Sequence, residues 1–404
     1  MRILHTSDWH LGQNFYTKSR AAEHQAFCDW LLEMVQENTV DAIIVAGDIF
    51  DTGTPPSYAR ELYNRFIVRL QSTGCALYIL AGNHDSVATL NESRELLACL
   101  NTQVIAAAAP ENEPPVITIP ARNGEPGALL CPIPFLRPRD IMRSEAGLSG
   151  HEKQRSLLEA ISDYYQRSYR AALEVKGARP LPIIATGHLT TVGAATSEAV
   201  RDIYIGSLDA FPAQAFPPAD YIALGHIHRA QKVGGCDHIR YSGSPIALSF
   251  DETGPAKSVN LVEFSAGKLS QVTELPVPVT QRLATLRGTL PEIERQLEQW
   301  PEQSNQPPAW LDIEIASDSY LNDALRDLRT LSERLPVEIL LMRRARAQRQ
   351  AALTQIQNET LSELKPGEVF ERRLAESALG PEQTERLRLL FNQTLACLNE
   401  EPRP

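Results

Sequence analysis

Residues 76–85 read Ala-Leu-Tyr-Ile-Leu-Ala-Gly-Asn-His-Asp and decide the fold of this chain. Their apolar first part is typical of a buried parallel strand. The run stops at Gly82, and three side chains that can bind metal or move protons follow directly. In open α/β sheets, the loops at the carboxyl ends of the strands gather ligands and chemistry. The stretch therefore predicts a site at a strand end, to which other strands should deliver matching groups.

Polar motifs that follow apolar runs recur along the chain, and the last four of the five begin with a glycine. Glycine has no Cβ, so the chain can turn sharply or approach a neighbour closely there. Each motif alone is a weak signal, because an isolated carboxylate is more often a helix cap than a ligand. Their recurrence at successive strand ends predicts one shared site. The motifs are Asp8-Trp9-His10, Gly47-Asp48, Gly82-Asn83-His84-Asp85, Gly187-His188 and Gly225-His226-Ile227-His228.

The histidines are concentrated at these motifs, which hold five of the nine in the chain. An even scatter along the sequence would not produce this concentration, so the histidine pattern also favours a shared site. The remaining four, which we interpret as ordinary structural or surface residues, are His5, His24, His151 and His238.

The donor atoms of the motifs narrow the choice of metal. Asp8, Asp48, Asn83 and four histidines form a mixed nitrogen and oxygen array without a thiolate. Such an array suits Mn, Fe, Zn or Co rather than a calcium site built only of oxygen. These candidates are too many for one tetrahedral ion and about right for two, which in such sites lie roughly 3.5–4 Å apart and stabilise both oxygens of a phosphoryl transfer. A bridging carboxylate is needed, and Asp48 is the natural candidate.

Length and composition predict a multidomain protein outside the membrane. At 404 residues and 43% hydrophobic content, the chain can fill two or three cores. No apolar run reaches the roughly 18 residues that span a bilayer, and the opening residues predict a strand rather than a signal peptide, so we expect a cytoplasmic protein. Six cysteines without a CxxC pair argue against a thiolate zinc site and a disulfide framework. The net charge of -11 argues only weakly against nucleic-acid binding, because a local basic strip or a basic partner can contact phosphates.

Three segments differ in their sequence pattern. Residues 1–277 alternate apolar strands with helical stretches, as in layered α/β packing, and hairpins after Leu224 predict a second, more antiparallel sheet packed on the first. Residues 278–342 predict a small α+β domain, with strands at 283–286, 310–315 and 337–342 and helices around 293–300 and 321–331. Residues 343–404 carry a basic run and amphipathic helices, which either fold back on the body or dock another subunit. The strands predicted in the first segment are 3–8, 41–48, 77–83, 129–134, 181–188 and 221–226.

In this order, the five motifs resemble the signature blocks of the calcineurin-like metallophosphoesterase superfamily. The opening block at residues 6–12, the block at residues 47–51 and the appended C-terminal segments are similar, more narrowly, to its DNA-repair nuclease branch. The resemblance covers essentially the whole chain. It implies an α/β fold with a two-sheet sandwich flanked by helices, followed by a capping domain at 278–342 that helps to hold DNA. It also implies that the helical tail at 343–404 docks an ATPase partner.

The resemblance assigns a role to each site residue. His84 would face the scissile phosphate, either stabilising developing charge or protonating the leaving oxygen, and Asp85 would orient the His84 ring. Two divalent ions are implied, with manganese preferred and magnesium, iron or zinc as alternatives. The implied ligands are Asp8, His10 and His228 for one ion, Asn83, His188 and His226 for the other, and Asp48 as the bridge.

The leading hypothesis is therefore a manganese-dependent DNA nuclease subunit that cleaves phosphodiester bonds at double-strand ends and hairpins. The resemblance implies a role in DNA repair, recombination and replication, at the nucleoid. It also implies a homodimer, through helices near 58–70 and 92–100, within a heterotetramer that contains a coiled-coil ATPase. One alternative keeps the chemistry but takes nucleotides, cyclic nucleotides or phosphoproteins as substrates. A second alternative, a scaffold without catalysis, is disfavoured because the ligand array is complete.

Overall fold

The computed structural model describes residues 1–110, 115–142, 150–197, 200, 210–301, 307–316, 328–344, 386–388 and 390–391. The chain separates into two units, Met1–Arg343 and Arg344–Pro404. In chain order the elements are β1 (Arg2–Thr6), β2 (Asn14–Phe15), β3 (Lys18–Ser19), α1 (Ala21–Glu37), β4 (Ala42–Ala46), α2 (Ser57–Gln71), β5 (Ala76–Leu80), α3 (Val87–Asn91), α4 (Arg94–Ala98), β6 (Thr102–Ile105), β7 (Ile117–Pro120), β8 (Pro126–Cys131), α5 (Pro138–Ile141), α6 (Gly150–Lys176), β9 (Ile183–His188), β10 (Tyr221–Gly225), β11 (Gln231–Val233), β12 (Cys236–Tyr241), β13 (Ser258–Ser265), β14 (Lys268–Pro276), β15 (Leu283–Gly288), α7 (Leu290–Glu298), β16 (Ala309–Ile315) and β17 (Val337–Arg344), with 3₁₀ helices at Ala213–Ala215 and Phe250–Glu252.

The first sheet has six strands in the order β14-β13-β1-β4-β5-β6. Strands β1, β4, β5 and β6 run parallel, and β13 pairs antiparallel with β1. Alternate side chains of the parallel strands point to opposite faces, so these apolar runs need cover on both faces. Helices α1 and α2 supply it on the outer face, where Phe27 and Leu31 of α1 and Phe66 of α2 join one core with Ile43 and Leu77 of the sheet. The two helices confirm the helical stretches predicted between the first strands of the chain.

The second sheet also has six strands, in the order β11-β12-β10-β9-β8-β7. Its four central strands run parallel, and β7 and β11 pair antiparallel at its edges. Helix α6 covers its outer face through Ile161 and Tyr165. Apolar side chains of both sheets, among them Ile44, Tyr78 and Ile184, fill the space between them. The two-sheet sandwich flanked by helices is therefore confirmed, and all six predicted strands are present as β1, β4, β5, β8, β9 and β10.

The predicted second sheet is present, but the prediction that it is more antiparallel and holds all the hairpins after Leu224 is wrong. Strands β13 and β14 form the predicted hairpin, but this hairpin extends the edge of the first sheet beside β1. Strand β12 instead pairs parallel with β10 in the second sheet, and β11 lies on its far side. Turn residues identify a hairpin locally, whereas the sheet that receives it is decided by residues far away in the chain.

A third sheet of three strands, β15-β16-β17, follows with α7 packed on it. Thr289 and Glu292 form a capping box that starts α7, and Ile293 and Leu297 of this helix are buried. The predicted strands and first helix of this segment are thus present, with part of the second helix at 328–332. The remainder of that helix and nearly all of the predicted tail lie outside the described residues. Within the described part of the chain, no helix has the length and apolar character needed to cross a membrane.

The third sheet rests on the sandwich through an aromatic cluster. Phe15 of the β2–β3 hairpin stacks on Trp310 of β16 with ring centroids 5.7 Å apart, and Phe250 packs against Phe15. Lys18 in the same hairpin pairs with Glu338 of β17 at 2.5 Å. Because Phe15 lies five residues after His10, this contact places the third sheet next to the loop that carries a predicted metal ligand.

Candidate metal centre

The five polar motifs meet at the carboxyl ends of the central strands of both sheets. The loops after β1, β4 and β5 come from the first sheet, and the end of β9 and the loop after β10 come from the second. Three overlapping groups bring potential ligand atoms within 4.8 Å of one another. The groups are Asp8 with His10 and His228, His10 with Asp48 and His84, and Asp48 with His188 and His226.

Several of these residues adopt a backbone conformation that only glycine adopts easily. Asp8, His10, Asp48 and His226 have φ angles of 54°, 47°, 52° and 94°. Each such residue costs about 1–3 kcal/mol and persists only where surrounding contacts hold it. Here Asp8 N donates to the Gly47 carbonyl oxygen at 2.9 Å, His10 N to the Asp48 carbonyl oxygen at 3.0 Å, and His226 N to Asp8 Oδ1 at 2.9 Å. The loops therefore fix one another, and the strain lies at the residues predicted to bind metal.

Two glycines make room for the site. A Cβ on Gly82 would lie 2.1 Å from Asp48 Oδ1, and one on Gly47 would lie 2.1 Å from His188 Nδ1. Only Gly47 of these two has a left-handed φ, at 96°. The sequence predicted a sharp turn or a close approach at these glycines, and at Gly82 the structure shows the close approach, to Asp48.

His188 is surrounded by hydrogen-bond acceptors. Its Nδ1 lies 2.9 Å from the Ala46 carbonyl oxygen, and its Nε2 lies 2.9 Å from Asn83 Oδ1 and 3.2 Å from Asp48 Oδ2. A neutral imidazole has one N–H, so one ring nitrogen would face oxygen lone pairs without a proton. Burial would lower the pKa of His188, but the Asp48 carboxylate beside it raises the pKa to about 9. A cation between Nε2 and these oxygens would replace the extra proton.

His10 and His226 also fit a cation. His10 Nε2 is buried without a hydrogen-bond partner among the described residues, 3.6 Å from Asp48 Oδ2. Burial and the neighbouring His188 hold the pKa of His226 well below its usual range, so the ring stays neutral, as a ligand requires. His226 Nδ1 lies 3.2 Å from Asn83 Oδ1. Ligand atoms around an ion with bonds of about 2.1 Å lie about 3 Å apart, so this donor set fits divalent ions.

His84 and Asp85 are placed differently from what was expected. We expected Asp85 to orient the His84 ring, but the ring Nδ1 hydrogen-bonds with the Asp51 carbonyl oxygen at 2.7 Å. Buried Asp85 instead accepts backbone N–H groups from Gly82, Ile49 and Phe50 at 2.8, 3.1 and 3.0 Å. Burial and the Asp48 charge raise the pKa of Asp85 to about 6. Asp85 thus ties the His84 loop to the Asp48 loop and supports the ring through the backbone.

Sequence reasoning missed two carboxylates that contact the rings of predicted metal ligands. Asp51 Oδ1 lies 3.1 Å from His10 Nδ1, and Glu252 Oε1 lies 3.1 Å from His228 Nδ1. Asp51 could have been found, because it follows Asp48 by three residues in the same loop. Glu252 follows His228 by 24 residues in no motif, so nothing local marked it.

Two of the four histidines outside the motifs, His5 and His24, are buried in the core, which confirms the prediction that they are structural. Burial lowers the pKa of His5 and of His24 to about 3, so both rings are neutral core groups. His238 is half-buried in β12, and the side chain of His151 lies outside the described residues.

Two family models match this chain. The model of the calcineurin-like phosphoesterases matches residues 1–230, which contain all five motifs. A second model, described as the type 5 capsule protein repressor C-terminal domain, matches residues 279–378.

Curated relatives match over most of their length. The chain is 65% identical to the SbcD subunit of the nuclease SbcCD from Escherichia coli (strain K12) over 401 residues, which cover 99% of both chains. It is 33% identical to the protein of the same name from Rhodobacter capsulatus, covering 84% of this chain and 86% of that one. It is 32% identical to the one from Bacillus subtilis (strain 168), covering 78% of this chain and 79% of that one.

Proposed function

The chain belongs to the calcineurin-like phosphoesterases, in the SbcD family of nuclease subunits, and from this premise we propose that it hydrolyses DNA phosphodiester bonds as the nuclease subunit of an SbcCD complex. The observation that carries the proposal is the metal centre itself. Two carboxylates, one amide and four imidazoles converge at one edge of the sandwich, and Asp48 is common to two of their groups. A complete array of this kind is what metal-assisted phosphoryl transfer needs.

We propose two divalent ions, with manganese preferred. Asp8, His10 and His228 would hold one ion, and Asn83, His188 and His226 the other. Asp48 would serve both, because its Oδ2 lies 3.6 Å from His10 Nε2 and 3.2 Å from His188 Nε2. When bound, the ions would supply the positive charge that stabilises the phosphate oxygens during displacement.

His84 would act on the phosphate directly. Its backbone N donates to Asp48 Oδ1 at 2.9 Å, and its Nδ1 is held by the Asp51 carbonyl oxygen, so the ring position is tied to the bridging carboxylate. A carbonyl acceptor keeps the proton on Nδ1, and a protonated ring then also carries one on Nε2. We propose that Nε2 donates to the phosphate and passes its proton to the leaving oxygen.

Double-stranded ends and hairpins are the proposed substrates. The third sheet would hold DNA as a cap, since its contact through Phe15 and Trp310 lies beside the loop that carries His10. We propose that residues 343–404 dock a coiled-coil ATPase of the SbcC type. A homodimer within that heterotetramer would form through α2 and α4, where Val68 and Leu96 are 57% and 65% exposed.

A substrate comparison tests the proposal. The purified protein, alone and with its ATPase partner and ATP, is given Mn²⁺ or EDTA together with a linear duplex, a hairpin or bis-p-nitrophenyl phosphate. We expect Mn²⁺-dependent cleavage of the duplex and the hairpin. Turnover confined to the small ester would favour a phosphoesterase of nucleotides, cyclic nucleotides or phosphoproteins. Bound Mn²⁺ without turnover of any substrate would favour a scaffold.

A further inference from the structure

Glu252 is a buried carboxylate next to the metal centre that belongs to none of the motifs. It ends the 3₁₀ helix Phe250–Glu252 and is 5% exposed. Its Oε1 lies 3.1 Å from His228 Nδ1. The hydrogen bond places the ring proton of His228 on Nδ1, facing Glu252, and leaves the Nε2 lone pair for an ion.

The position of Glu252 is fixed from several sides. Its Oε2 accepts from Lys257 Nζ at 2.6 Å and from Leu248 N at 3.0 Å, and its Oε1 accepts from Ser197 Oγ at 2.6 Å. Lys257 Nζ also donates to the His228 carbonyl oxygen at 2.9 Å. Both the ring and the backbone of His228 are therefore tied to one buried ion pair. A carboxylate that is oriented by so many donors cannot turn away from the ring without losing them.

Three of the four predicted ligand histidines can be compared by the group that contacts Nδ1 of the ring. His228 and His10, both predicted for the first ion, each have a carboxylate at Nδ1, from Glu252 and Asp51 at 3.1 Å. For the second ion, the His188 ring is backed by the neutral Ala46 carbonyl oxygen at 2.9 Å. A carboxylate at the far nitrogen of a ligand imidazole fixes its tautomer and raises its basicity. Carboxylates therefore back both imidazoles of the first position, whereas a neutral carbonyl oxygen backs His188 at the second.

We propose that Glu252 is a positioning residue for His228 that makes the Asp8–His10–His228 position the tighter of two metal positions. The inference rests on the metal centre proposed above. It explains why a buried Glu and Lys pair is kept beside the site, although replacing such pairs by apolar residues often costs no stability. Removing the Glu252 charge should weaken the ion at this position and leave the other position unchanged.

The test is a titration of the full-length protein with Mn²⁺, in which free Mn²⁺ is measured by electron paramagnetic resonance. In the wild type we expect two classes of binding. Glu252→Gln keeps the size of the side chain and removes its charge, and we expect the tighter class to weaken by about 10- to 100-fold. The matched control is Glu23→Gln, since Glu23 is also a buried carboxylate but pairs with Arg20.

Glu252→Gln alone leaves the Lys257 charge without its partner, so a double variant is needed. Glu252→Gln with Lys257→Met removes both charges, and its unfolding temperature is measured beside its Mn²⁺ binding. We expect the double variant to remain folded and the tighter class to stay weak. Recovery of wild-type Mn²⁺ binding in the double variant would overturn the inference. Glu252 would then only neutralise the charge of Lys257.

Two other outcomes would also overturn it. Equal Mn²⁺ binding by wild type and Glu252→Gln would leave the proposed metal centre intact and remove the role of Glu252. If only the looser class of Mn²⁺ binding weakened, Glu252 would support the looser position and not the tighter one. By contrast, failure of the wild type to bind Mn²⁺ at all would reject the proposed function and the inference together.

Discussion

The two sheets of the sandwich contribute different chemistry to the same centre. Loops of the first sheet supply both carboxylates, the amide and His84, together with one imidazole that is a predicted ligand. The second sheet supplies only imidazoles, from the end of β9 and the loop after β10. The motif residues of the first sheet alone would bind a cation weakly, because they include only one of the four imidazoles. Those of the second sheet alone have no carboxylate to attract a cation. The centre therefore depends on the two sheets being held face to face.

Contacts across the sheets already join these two halves. His188 Nδ1 lies 2.9 Å from the Ala46 carbonyl oxygen at the end of β4, and His226 N donates to Asp8 Oδ1 at 2.9 Å. The packing between the sheets thus sets the distances between the predicted ligands. Four variants would break or sharpen this comparison.

Asp48→Ala should have the largest effect, because Asp48 belongs to two of the three groups of potential ligand atoms and faces His10 of the first sheet and His188 of the second. We expect the loss of Mn²⁺ binding at both positions and a fall in cleavage of at least about 10³-fold, since the ions supply several kcal/mol. Mn²⁺ titration and duplex cleavage measure this. The control is Asp41→Ala, at the opposite end of β4, where the carboxylate accepts from Arg2 N and Arg122 N. Retained binding of two ions in Asp48→Ala would contradict the bridging role.

His84→Gln should separate chemistry from binding. We expect cleavage to fall by about 10²- to 10⁴-fold, the usual contribution of a general acid, while Mn²⁺ and duplex binding stay near wild type. Single-turnover cleavage, Mn²⁺ titration and duplex binding in the presence of Ca²⁺ measure the three properties. Because His84 also lies within 4.8 Å of His10 and Asp48, a parallel loss of Mn²⁺ binding would instead make it a ligand.

Gly82→Ala should disturb the loop at the carboxyl end of β5 in the first sheet. The new Cβ would lie 2.1 Å from Asp48 Oδ1 and 2.4 Å from Asp48 N, so the loop that carries Asn83 must move. We expect a destabilisation of about 1–3 kcal/mol in denaturant unfolding and weaker Mn²⁺ binding. Gly254→Ala is the control, because a Cβ there meets nothing within 4 Å. Equal unfolding midpoints for the two variants would show that the Asp48 loop can move to accommodate the Cβ without a loss of stability.

Much of this arrangement could be predicted from local signals. Apolar runs identified the six central strands, and the polar motifs after five of these runs predicted the site, because parallel strands bring their carboxyl ends to one edge. The helical stretches between the strands predicted the layer that covers the first sheet, which α1 and α2 form. Resemblance added the grouping of Asp8, Asp48 and the histidines into two positions, which stays a prediction.

What could not be predicted depends on contacts between distant residues. The left-handed φ of Asp8 at 54° is held by a hydrogen bond to the loop after β4, and aspartate adopts this conformation too rarely for the sequence to predict it. Asp85 was assigned to the His84 ring, but three backbone N–H groups take its oxygens. Glu252 meets His228 only after the chain has passed through β11 and β12. In each case the partner is chosen by the tertiary fold.

His5→Gln should have the smallest effect, and it tests how the sheets are held together away from the metal. His5 on β1 contacts Tyr221 Oη at 2.9 Å and the Leu224 carbonyl oxygen at 3.2 Å, both on β10. Burial lowers the pKa of His5 to about 3, so below about pH 6.5 the unfolded chain binds a proton that the folded one does not. The contribution of His5 to the free energy of unfolding is then full above pH 6.5. It falls as the pH drops towards 3, by up to about 1.4 kcal/mol per pH unit.

The variant should remove this slope rather than the fold. We expect the free energies of unfolding of wild type and His5→Gln, measured in EDTA, to differ most at pH 7.5. The difference should shrink by about 1 kcal/mol at pH 5.5, because only the wild type loses the His5 contribution. Parallel curves would mean that the folded protein protonates His5 as readily as the unfolded chain does. The two sheets would then be joined at β1 and β10 by an imidazolium, and acid would leave their contact unchanged.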